Sequence, residues 1–283
     1  MTASNNNLHY GPVLVLGATG KTGRRIVERL QDRGIEVREG SRQAVPAFSW
    51  QHPEGWDAVL AGMRAVYVNY APDLAVPGAA EAITLLMSRA KAAGVEHVVL
   101  LSGRGEEEAQ NCESIVQASN LTWTIVRAGW FNQNFSEGAF LDMVRDGVIT
   151  LPAGEIGEAF VDVDDIADVV TAALIDRKHV GELYELTGPR LLTFNDIATE
   201  LSRATGREIR FVRIPREAFS GALEEAGTPA DVTWLLDYLF HTVLDGRNAT
   251  LCDGVERALG RKPKDFSEFA DQIAPTGLWS HAA

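Results

Sequence analysis

Three glycines follow a short apolar run near the start of the chain, in the segment Val13-Leu-Val-Leu-Gly-Ala-Thr-Gly-Lys-Thr-Gly23. The apolar run is typical of a buried parallel strand, and apolar residues at helical spacing over 26–30 indicate that a helix follows. Between the two, Gly17 allows a tight turn, Gly20 a close approach of a pyrophosphate, and Gly23 close packing of helix on strand. The helix N-terminus would present its N–H groups to the phosphates. We therefore predict a dinucleotide-binding turn with cofactor contacts at Gly17, Thr19, Gly20, Lys21, Thr22 and Gly23.

Part of this segment also resembles a second nucleotide motif, because Gly20-Lys21-Thr22 could end a mononucleotide P-loop. That loop needs a further glycine five residues before its last one, and position 15 is a valine. The P-loop interpretation is therefore excluded. The predicted strand, turn and helix around the glycines favour a dinucleotide site over a purely structural turn.

Composition and charge narrow the possible partners. The chain has 283 residues, of which 46% are hydrophobic and 23% charged, as in an ordinary folded protein. A formal net charge of -13 disfavours binding to nucleic acid or to anionic membranes. Cys112 and Cys252 form neither a metal-ligand pattern nor a disulfide framework, and Cys112 is expected in the core. Residues 1–10 lack the apolar segment of a signal peptide, so we expect a cytoplasmic protein acting on a small molecule, without metal.

Strand-like and helical segments alternate through the first half of the chain. Strands are predicted over 35–38, 65–70, 95–102 and 121–127, and helices over 24–33, 56–63, 79–93 and 107–118. Continuous apolar runs in the strands suggest that both faces of the sheet are covered. The predicted fold class is α/β, a Rossmann-type doubly wound parallel sheet.

The pattern becomes less regular beyond Phe131. Elements are predicted as a helix near 137–145, a strand near 158–163, a helix over 164–176, and further segments at 181–186, 194–204, 209–214 and 229–244. Asp164 and Asp165 are interpreted as a helix cap and first turn rather than as a catalytic pair. We expect one domain over 1–283, with a Rossmann core over about 11–155 and a smaller substrate-binding lobe mainly from 156–283.

Several segments together resemble the NmrA-like group of atypical short-chain dehydrogenases. They are the glycine turn, Leu101-Ser-Gly103, the run 113–127 with Phe131-Asn-Gln-Asn-Phe135, and Val161-Asp-Val-Asp-Asp-Ile-Ala-Asp168. The resemblance covers most of the chain and implies a Rossmann fold, binding of NADP or NAD, and a cytosolic reductase or, less often, a redox-sensing regulator.

The chain departs from the wider superfamily at the usual proton donor. Typical members carry Tyr-x-x-x-Lys on the helix after the serine-bearing strand, and the corresponding positions here are Ala109 and Glu113. Hydride transfer would then need another acid, water, or a substrate that accepts hydride without obligatory protonation, such as a quinone, an iminium ion or an extended cation.

The second strand carries the signal for the cofactor. A protein that binds NAD would have Asp or Glu after this strand, whereas this chain has Gly40-Ser41-Arg42. Arg42 suits the 2′-phosphate of NADP, and Lys21 and Arg38 could supplement it, so NADP is predicted ahead of NAD. The alternative for Arg42 is a solvated residue at the start of a loop.

The nicotinamide site is expected at the carboxyl edge of the sheet, where two strands are followed by Tyr70, Ala71 and Pro72 and by Leu101, Ser102 and Gly103. By resemblance, Gly129, Trp130 and Phe131 lead toward the nicotinamide, although an aromatic pair at a strand end is as often part of the core. Candidate substrate-binding residues are Tyr70, Trp130, Phe135 and His241, of which the histidine could equally be structural.

Three polar residues are candidates for catalysis. Glu113 could act as a general acid if burial favoured its protonated form, or it could remain exposed and ionised. Ser102 and Asn132 could polarise a carbonyl, or satisfy backbone groups at strand ends. We predict an NADPH-dependent reductase for a small aromatic, quinonoid or imine-like molecule; the alternative is a non-catalytic NAD(P) redox sensor.

Overall fold

The computed structural model describes residues 11–280, so residues 1–10, on which the prediction about a leader depended, lie outside the described part. The strands in this part are β1 Val13–Leu16, β2 Val37–Gly40, β3 Ala65–Val68, β4 His97–Gly103, β5 Thr122–Ala128, β6 Val148–Leu151, β7 Leu183–Leu186 and β8 Arg210–Arg213. The helices are α1 Lys21–Gln31, α2 Trp56–Leu60, α3 Ala79–Ala92, α4 Glu107–Ala118, α5 Asn134–Glu137, α6 Leu141–Asp146, α7 Val163–Ile175, α8 Phe194–Thr205, α9 Arg216–Glu225, α10 Ala230–Tyr238, α11 Gly254–Leu259 and α12 Phe266–Ile273.

Six of the strands form one sheet, in the order β2-β1-β3-β4-β5-β7. Strand β1 pairs in parallel with β2 and with β3, and β3 pairs in parallel with β4. The strand order changes direction between β1 and β3, and open α/β sheets bind their ligands at such a switch point. The predicted Rossmann-type sheet is therefore confirmed, and the glycine turn lies directly after the first strand of the switch.

The chain divides into two compact units. The first runs to Arg127 and also contains Ile166–Glu185 and Gly254–Arg261; the second contains Ala128–Asp165, Leu186–Asp253 and the chain from Lys262 onward. The sequence-based division placed one boundary near residue 155, whereas the chain passes between the units several times. Periodicity along the chain cannot show this, because it reports local structure and not which segments pack together.

The core of the first unit is aliphatic and lies between the sheet and its helices. It contains the inward residues of β1, β3 and β4 together with the apolar faces of α2, α3 and α4. Cys112 belongs to this core with no exposed surface, and burial raises the pKa of its thiol to about 11. Its predicted role as a core residue is confirmed.

The core of the second unit is largely aromatic. Its largest buried rings are Trp130, Phe135, Phe140, Phe160, Phe194, Phe240, Phe266, Phe269 and Trp279. Many of the rings meet edge to face, the preferred geometry of aromatic quadrupoles, as for Phe160 and Phe194 at 5.5 Å between centroids. A two-stranded parallel sheet of β6 and β8 accompanies this core.

Several predicted elements of the second unit differ from the structure. The strand predicted near 158–163 is absent from the described residues, because Glu158 and Val161 each form one isolated bridge, with Leu192 and Phe131 respectively. The helix near 137–145 is divided into α5 and α6, and the one over 229–244 is α10 followed by a π turn at Leu239–Val243. Strand β6 and helices α9, α11 and α12 had not been predicted.

Helix α7 begins one residue earlier than predicted and has a different cap. The Asp162 carboxylate accepts a hydrogen bond from the Asp164 amide at 2.8 Å, so Asp162 is the N-cap. Asp164 and Asp165 instead accept hydrogen bonds from the side chain and the amide of Lys264, at 2.9 and 2.7 Å. Among residues 11–280, no helix has the length and apolar character needed to cross a bilayer.

Candidate functional site

The glycine turn has the geometry that its sequence predicts. Gly17 has a positive φ of +69°, and its amide donates to the Gly40 carbonyl at 2.9 Å, which ties the turn to β2. A Cβ on Gly23 would lie 2.1 Å from the Gly17 carbonyl oxygen, so only glycine allows the helix to start so close to the strand. Gly20 is the N-cap of α1 and has no side chain to cap the helix, so the amides of Thr22 and Gly23 can donate to an anion.

The side chain of Thr22, a predicted cofactor contact, is joined to β3 by a hydrogen bond. Its hydroxyl is buried and accepts a hydrogen bond from the Tyr67 hydroxyl at 2.8 Å. Burial raises the pKa of Tyr67, so this tyrosine is a neutral donor that joins β3 to α1. Thr22 is buried, Thr19 is exposed and Lys21 is half-buried.

One residue beside the turn was missed by the sequence analysis. Asn69 directly follows β3, and a Cβ on Gly17 would lie 3.2 Å from its Nδ2 atom. The amide of Asn69 thus lies against the turn at the switch point of the sheet. The available signal was its position, because a polar residue directly after an apolar strand of a parallel sheet lies at the ligand-binding edge.

The two arginines predicted for the adenosine phosphate differ in their surroundings. Arg38 donates to the carbonyl oxygens of Val59 and Ala61, at 2.9 and 2.7 Å, so its guanidinium terminates α2. Arg42 is exposed, and its side chain forms no hydrogen bond or ion pair with any residue within 11–280. The structure thus leaves Arg42, and not Arg38, available to a 2′-phosphate.

Ser102 and Glu113 are brought together inside the first unit. The Ser102 hydroxyl donates to Glu113 Oε1 at 2.6 Å, and Arg127 donates to both carboxylate oxygens, at 2.7 and 2.6 Å. These hydrogen bonds raise the pKa of Arg127, and Glu113 is only 3% exposed. Both oxygens of Glu113 act as acceptors, so the geometry corrects the general-acid interpretation: Glu113 orients Ser102 and balances Arg127.

A second ion pair extends this network. Arg104 donates to Glu185 at 2.6 Å, and the other oxygen of Glu185 lies 3.6 Å from Arg127. Two guanidinium groups therefore face two carboxylates, which satisfies the general requirement that buried charges are paired. Arg104, Arg127 and Glu185 were not predicted as site residues, because their pairing joins segments that are distant in the sequence.

A pair of carboxyl groups lies over the end of β4. Glu106 is 5% exposed and forms a side-chain hydrogen bond with Asp73, which follows β3. A Cβ on Gly103 would lie 2.2 Å from the Cδ atom of Glu106, so the carboxyl group occupies the space beside this glycine. Neither Glu106 nor Asp73 was singled out by the sequence analysis.

The remaining residues predicted at this edge vary in exposure. The ring of Tyr70 packs on Trp50 with 4.6 Å between centroids, and burial raises the pKa of Tyr70. Ala71 and Pro72 are exposed, and Leu101 is half-buried. Ala71 and Pro72 are therefore accessible at the carboxyl end of β3, whereas Tyr70 is partly used in packing.

Asn132 lies in the second unit, within the group of side chains that begins α7. Its amide nitrogen lies 3.5 Å from Asp162, and the neighbouring Gln133 donates to the same carboxylate at 3.1 Å. Gln133 also accepts from the Val163 amide at 2.9 Å. Asn132 is fully buried, and its Oδ1 atom has no hydrogen-bond partner among residues 11–280. These contacts show a structural role for Asn132 and do not bring it together with Ser102.

Four of the predicted aromatic and histidine contacts also lie in the second unit. Trp130 is 8% exposed and packs on Phe240 at 4.9 Å between centroids, so the structure favours the core interpretation. Phe135 has no exposed surface, which corrects its prediction as a substrate contact. Phe131 is half-buried beside the half-buried Gly129, and His241 shares a surface pocket with Pro152, Arg213, Ile214, Pro215 and Arg216.

Comparison with known proteins tests the nature of the glycine turn. A family described as NAD(P)H-binding matches residues 17–177, a segment that begins at the first glycine of the turn. The chain belongs to this NAD(P)H-binding family. The uncapped start of α1 fits the pyrophosphate of such a dinucleotide, and the predicted nicotinamide cofactor is confirmed at this level.

Individual relatives agree with this family. The chain is 30% identical to an NAD(P)H azoreductase of Xenophilus azovorans, over 91% of this chain and 96% of the relative. The triphenylmethane reductase of Citrobacter sp., solved in complex with NADP(H), has a TM-score of 0.74 at 18% identity, over 94% of this chain and all of the other. NmrA, a negative transcriptional regulator solved with NADP, has a TM-score of 0.68 at 18% identity, over 95% of this chain and 96% of NmrA. The chain is thus an NAD(P)H-binding oxidoreductase, and it shares the fold of NmrA, as its motifs predict.

Proposed function

We propose that this protein is an NADPH-dependent reductase of small conjugated molecules, such as azo, quinonoid, imine-like or extended cationic compounds. The observation that carries the proposal is the uncapped glycine turn at the switch point of the sheet. The relatives support the substrate class, since one is named for azo reduction and a structural neighbour for reduction of triphenylmethane.

The chain's own residues suit the cofactor in two places. The first N–H groups of α1 would hold the pyrophosphate, and the exposed Arg42 would hold the 2′-phosphate. When bound, NADPH supplies a hydride and two electrons. Ser102, oriented by Glu113, contributes a hydroxyl of fixed direction at the end of β4.

Oxidation of NADPH, followed by stopped-flow absorbance, tests the activity. The substrates would be an azo dye, 1,4-naphthoquinone, a cyclic imine and a triphenylmethane dye cation, each with a reaction lacking protein as control. We expect turnover with at least one of them. Absence of turnover with all four would contradict the proposal.

The preference for NADPH is tested at Arg42. Arg42→Ala removes a charge-assisted contact to the 2′-phosphate and should weaken NADPH by about 1.5 to 3 kcal/mol with little effect on NADH. Arg33→Ala is the matched control, because Arg33 is exposed near the far end of α1. Calorimetric titration with both cofactors measures the difference. An equal loss for both, or no loss for either, would contradict the assignment of Arg42.

A redox sensor is the second candidate, favoured by the absence of Tyr-x-x-x-Lys and by the likeness to NmrA. A sensor must bind the two redox states of its cofactor with different affinities, because a ligand shifts an equilibrium only by differential binding. Calorimetry with NADP⁺ and with NADPH measures this difference. Equal affinities would contradict the sensor.

A further inference from the structure

Glu106 occupies an unusual position for an acidic residue at a helix start. It is the N-cap of α4, where a side-chain oxygen normally accepts a hydrogen bond from the first turn, yet it makes no such bond. Its carboxyl group lies instead over Gly103, at the carboxyl end of β4. This is the edge at which open α/β sheets bind their ligands.

The two oxygens of Glu106 have different surroundings. One shares a hydrogen bond with the Asp73 carboxyl group, which requires a proton between the two acids. The other, Oε2, is buried and has no hydrogen-bond partner within residues 11–280. A buried oxygen without a partner is costly, and such groups mark places where a ligand or water completes the hydrogen bonding.

Electrostatics favours a proton on this pair. Burial, and then the neighbouring charge of Asp73, raise the pKa of Glu106; burial also raises the pKa of Asp73. Glu108 adds a third negative charge close to both. Two carboxyl groups this close cannot both ionise easily, which is how protein sites keep one acid protonated near neutral pH.

We propose that Glu106 is the proton donor of the reduction and that Asp73 is the positioning residue that holds the proton on it. The inference rests on the proposed function and specifies its substrate class: compounds whose reduction needs a proton as well as a hydride. It also supplies the acid that the missing Tyr-x-x-x-Lys leaves open, within the same unit as the glycine turn.

The step balances for a C=O, C=N or N=N bond. One atom of the bond receives the hydride with its two electrons from the reduced dinucleotide of the proposed function, and the π electron pair moves to the other atom. That atom takes the proton of Glu106 as the O–H bond of the acid breaks. The carboxyl pair then carries two negative charges and recovers one proton from water.

Two substrates separate proton donation from hydride transfer. An azo dye needs a proton to become a hydrazo compound, whereas a triphenylmethane cation becomes neutral by accepting hydride alone. Glu106→Gln should lower kcat about 100-fold with the azo dye, as expected for loss of a general acid, and change kcat with the cation less than twofold. Glu107→Gln is the matched control, because Glu107 is the exposed neighbour and loses the same charge.

Gly103→Ala provides a second variant that keeps Glu106 in the chain. The added Cβ would overlap the carboxyl group, and the end of a flexible side chain can move away without unfolding the protein. We expect the same selective loss with the azo dye. Raising the pH should also weaken azo reduction more than reduction of the cation, as the Asp73 and Glu106 pair beside Glu108 loses its proton.

Infrared difference spectroscopy gives a readout that does not depend on activity. The wild type at pH 8 should show the band of a protonated carboxyl group, which Glu106→Gln removes and Glu107→Gln retains. Absence of this band in the wild type would overturn the inference.

The kinetic outcomes distinguish the inference from the proposed function. If Glu106→Gln lowers kcat equally with both substrates, or does not lower kcat with the azo dye, the assignment of Glu106 as the proton donor is overturned. A wild type that reduces the cation but no azo or carbonyl compound would also overturn it, while the reductase would stand. A wild type that oxidises NADPH with none of the four compounds used to test the proposed function would contradict the reductase itself.

Discussion

One buried glutamate lies at the start of α4 and another in its middle, and the two have different hydrogen-bond partners. Glu106 and Glu113 are 5% and 3% exposed. Glu113 faces the Arg127 guanidinium and accepts hydrogen bonds at both oxygens. Glu106 faces the Asp73 carboxyl group, and its Oε2 atom has no partner among residues 11–280.

This contrast shows that burial alone does not determine what a carboxyl group does. A guanidinium compensates a buried negative charge and fixes the carboxylate as an acceptor, whereas a second carboxyl group penalises ionisation and retains a proton. One glutamate is therefore suited to orienting Ser102, and the other to storing a proton. Each of the following measurements tests one side of this comparison.

The largest effect is expected when Glu113 loses its cation. Arg127→Met leaves a buried carboxylate without compensation and should lower the free energy of unfolding by about 3 kcal/mol. Denaturant unfolding at pH 7 measures the change. The double variant Glu113→Gln with Arg127→Met should recover part of the loss, because it removes the uncompensated charge. A loss below about 1 kcal/mol would mean that the pair contributes little.

An intermediate effect is expected at the end of β4 that lies opposite to Glu106, where the buried titratable group is a histidine and not a carboxylic acid. His97 is fully buried beside Thr122, and burial lowers its pKa from 6.5 to about 4. The unfolded chain therefore binds a proton more readily, so this contribution to stability is present above pH 6.5 and is lost as the pH falls toward 4. Between pH 7 and pH 5 the loss should be about 2 kcal/mol.

Denaturant unfolding between pH 7 and pH 4 in the wild type and in His97→Gln measures this contribution. His179, whose pKa burial also lowers, and the charge of Arg177 lie close to His97 and act in the same direction. His97→Gln should therefore flatten the acid dependence without removing it. Parallel curves for the wild type and His97→Gln would contradict the prediction.

The smallest effect is expected for Glu106. Because its pKa is raised in the folded protein, its contribution to stability is present below its ordinary pKa of 4.5 and is lost as the pH rises. Between pH 5 and pH 6, where the unfolded chain loses this proton and the folded protein keeps it, the wild type should lose about 1 kcal/mol more than Glu106→Gln. Thermal or denaturant unfolding over this range measures it, with Glu107→Gln as the control. An identical decline in all three proteins would count against a stored proton.

Local sequence signals were sufficient for the first half of the fold. The helix predicted over 107–118 is α4 itself, and the strands predicted over 95–102 and 121–127 are β4 and β5 within two residues at each end. The glycine turn was equally predictable, because contacts between residues close in the sequence require its glycines. A Cβ on Gly23, for example, would lie 2.1 Å from the Gly17 carbonyl oxygen. Continuous apolar runs and helical periodicity carry the same kind of local information.

The second unit could be predicted much less well. Its core joins rings from Trp130 to Trp279, and β6 pairs with β8 from a distant part of the chain. The sequence of segment 158–163 is typical of a strand. In the structure, however, only two of its residues form β-bridges, Glu158 with Leu192 and Val161 with Phe131. Long-range packing of this kind leaves little periodic signal in either segment.

The sequence by itself determined the class of the protein, its dinucleotide turn and the absence of the usual tyrosine and lysine. Each of these depends only on residues that are close to one another in the sequence. Tertiary structure decided which acid could replace them. Glu113, the candidate chosen from its position in a motif, lies beside Arg127, whereas Glu106 lies beside Asp73. The protonation of a buried carboxyl group depends on charges within a few ångströms, and only the fold brings those charges together.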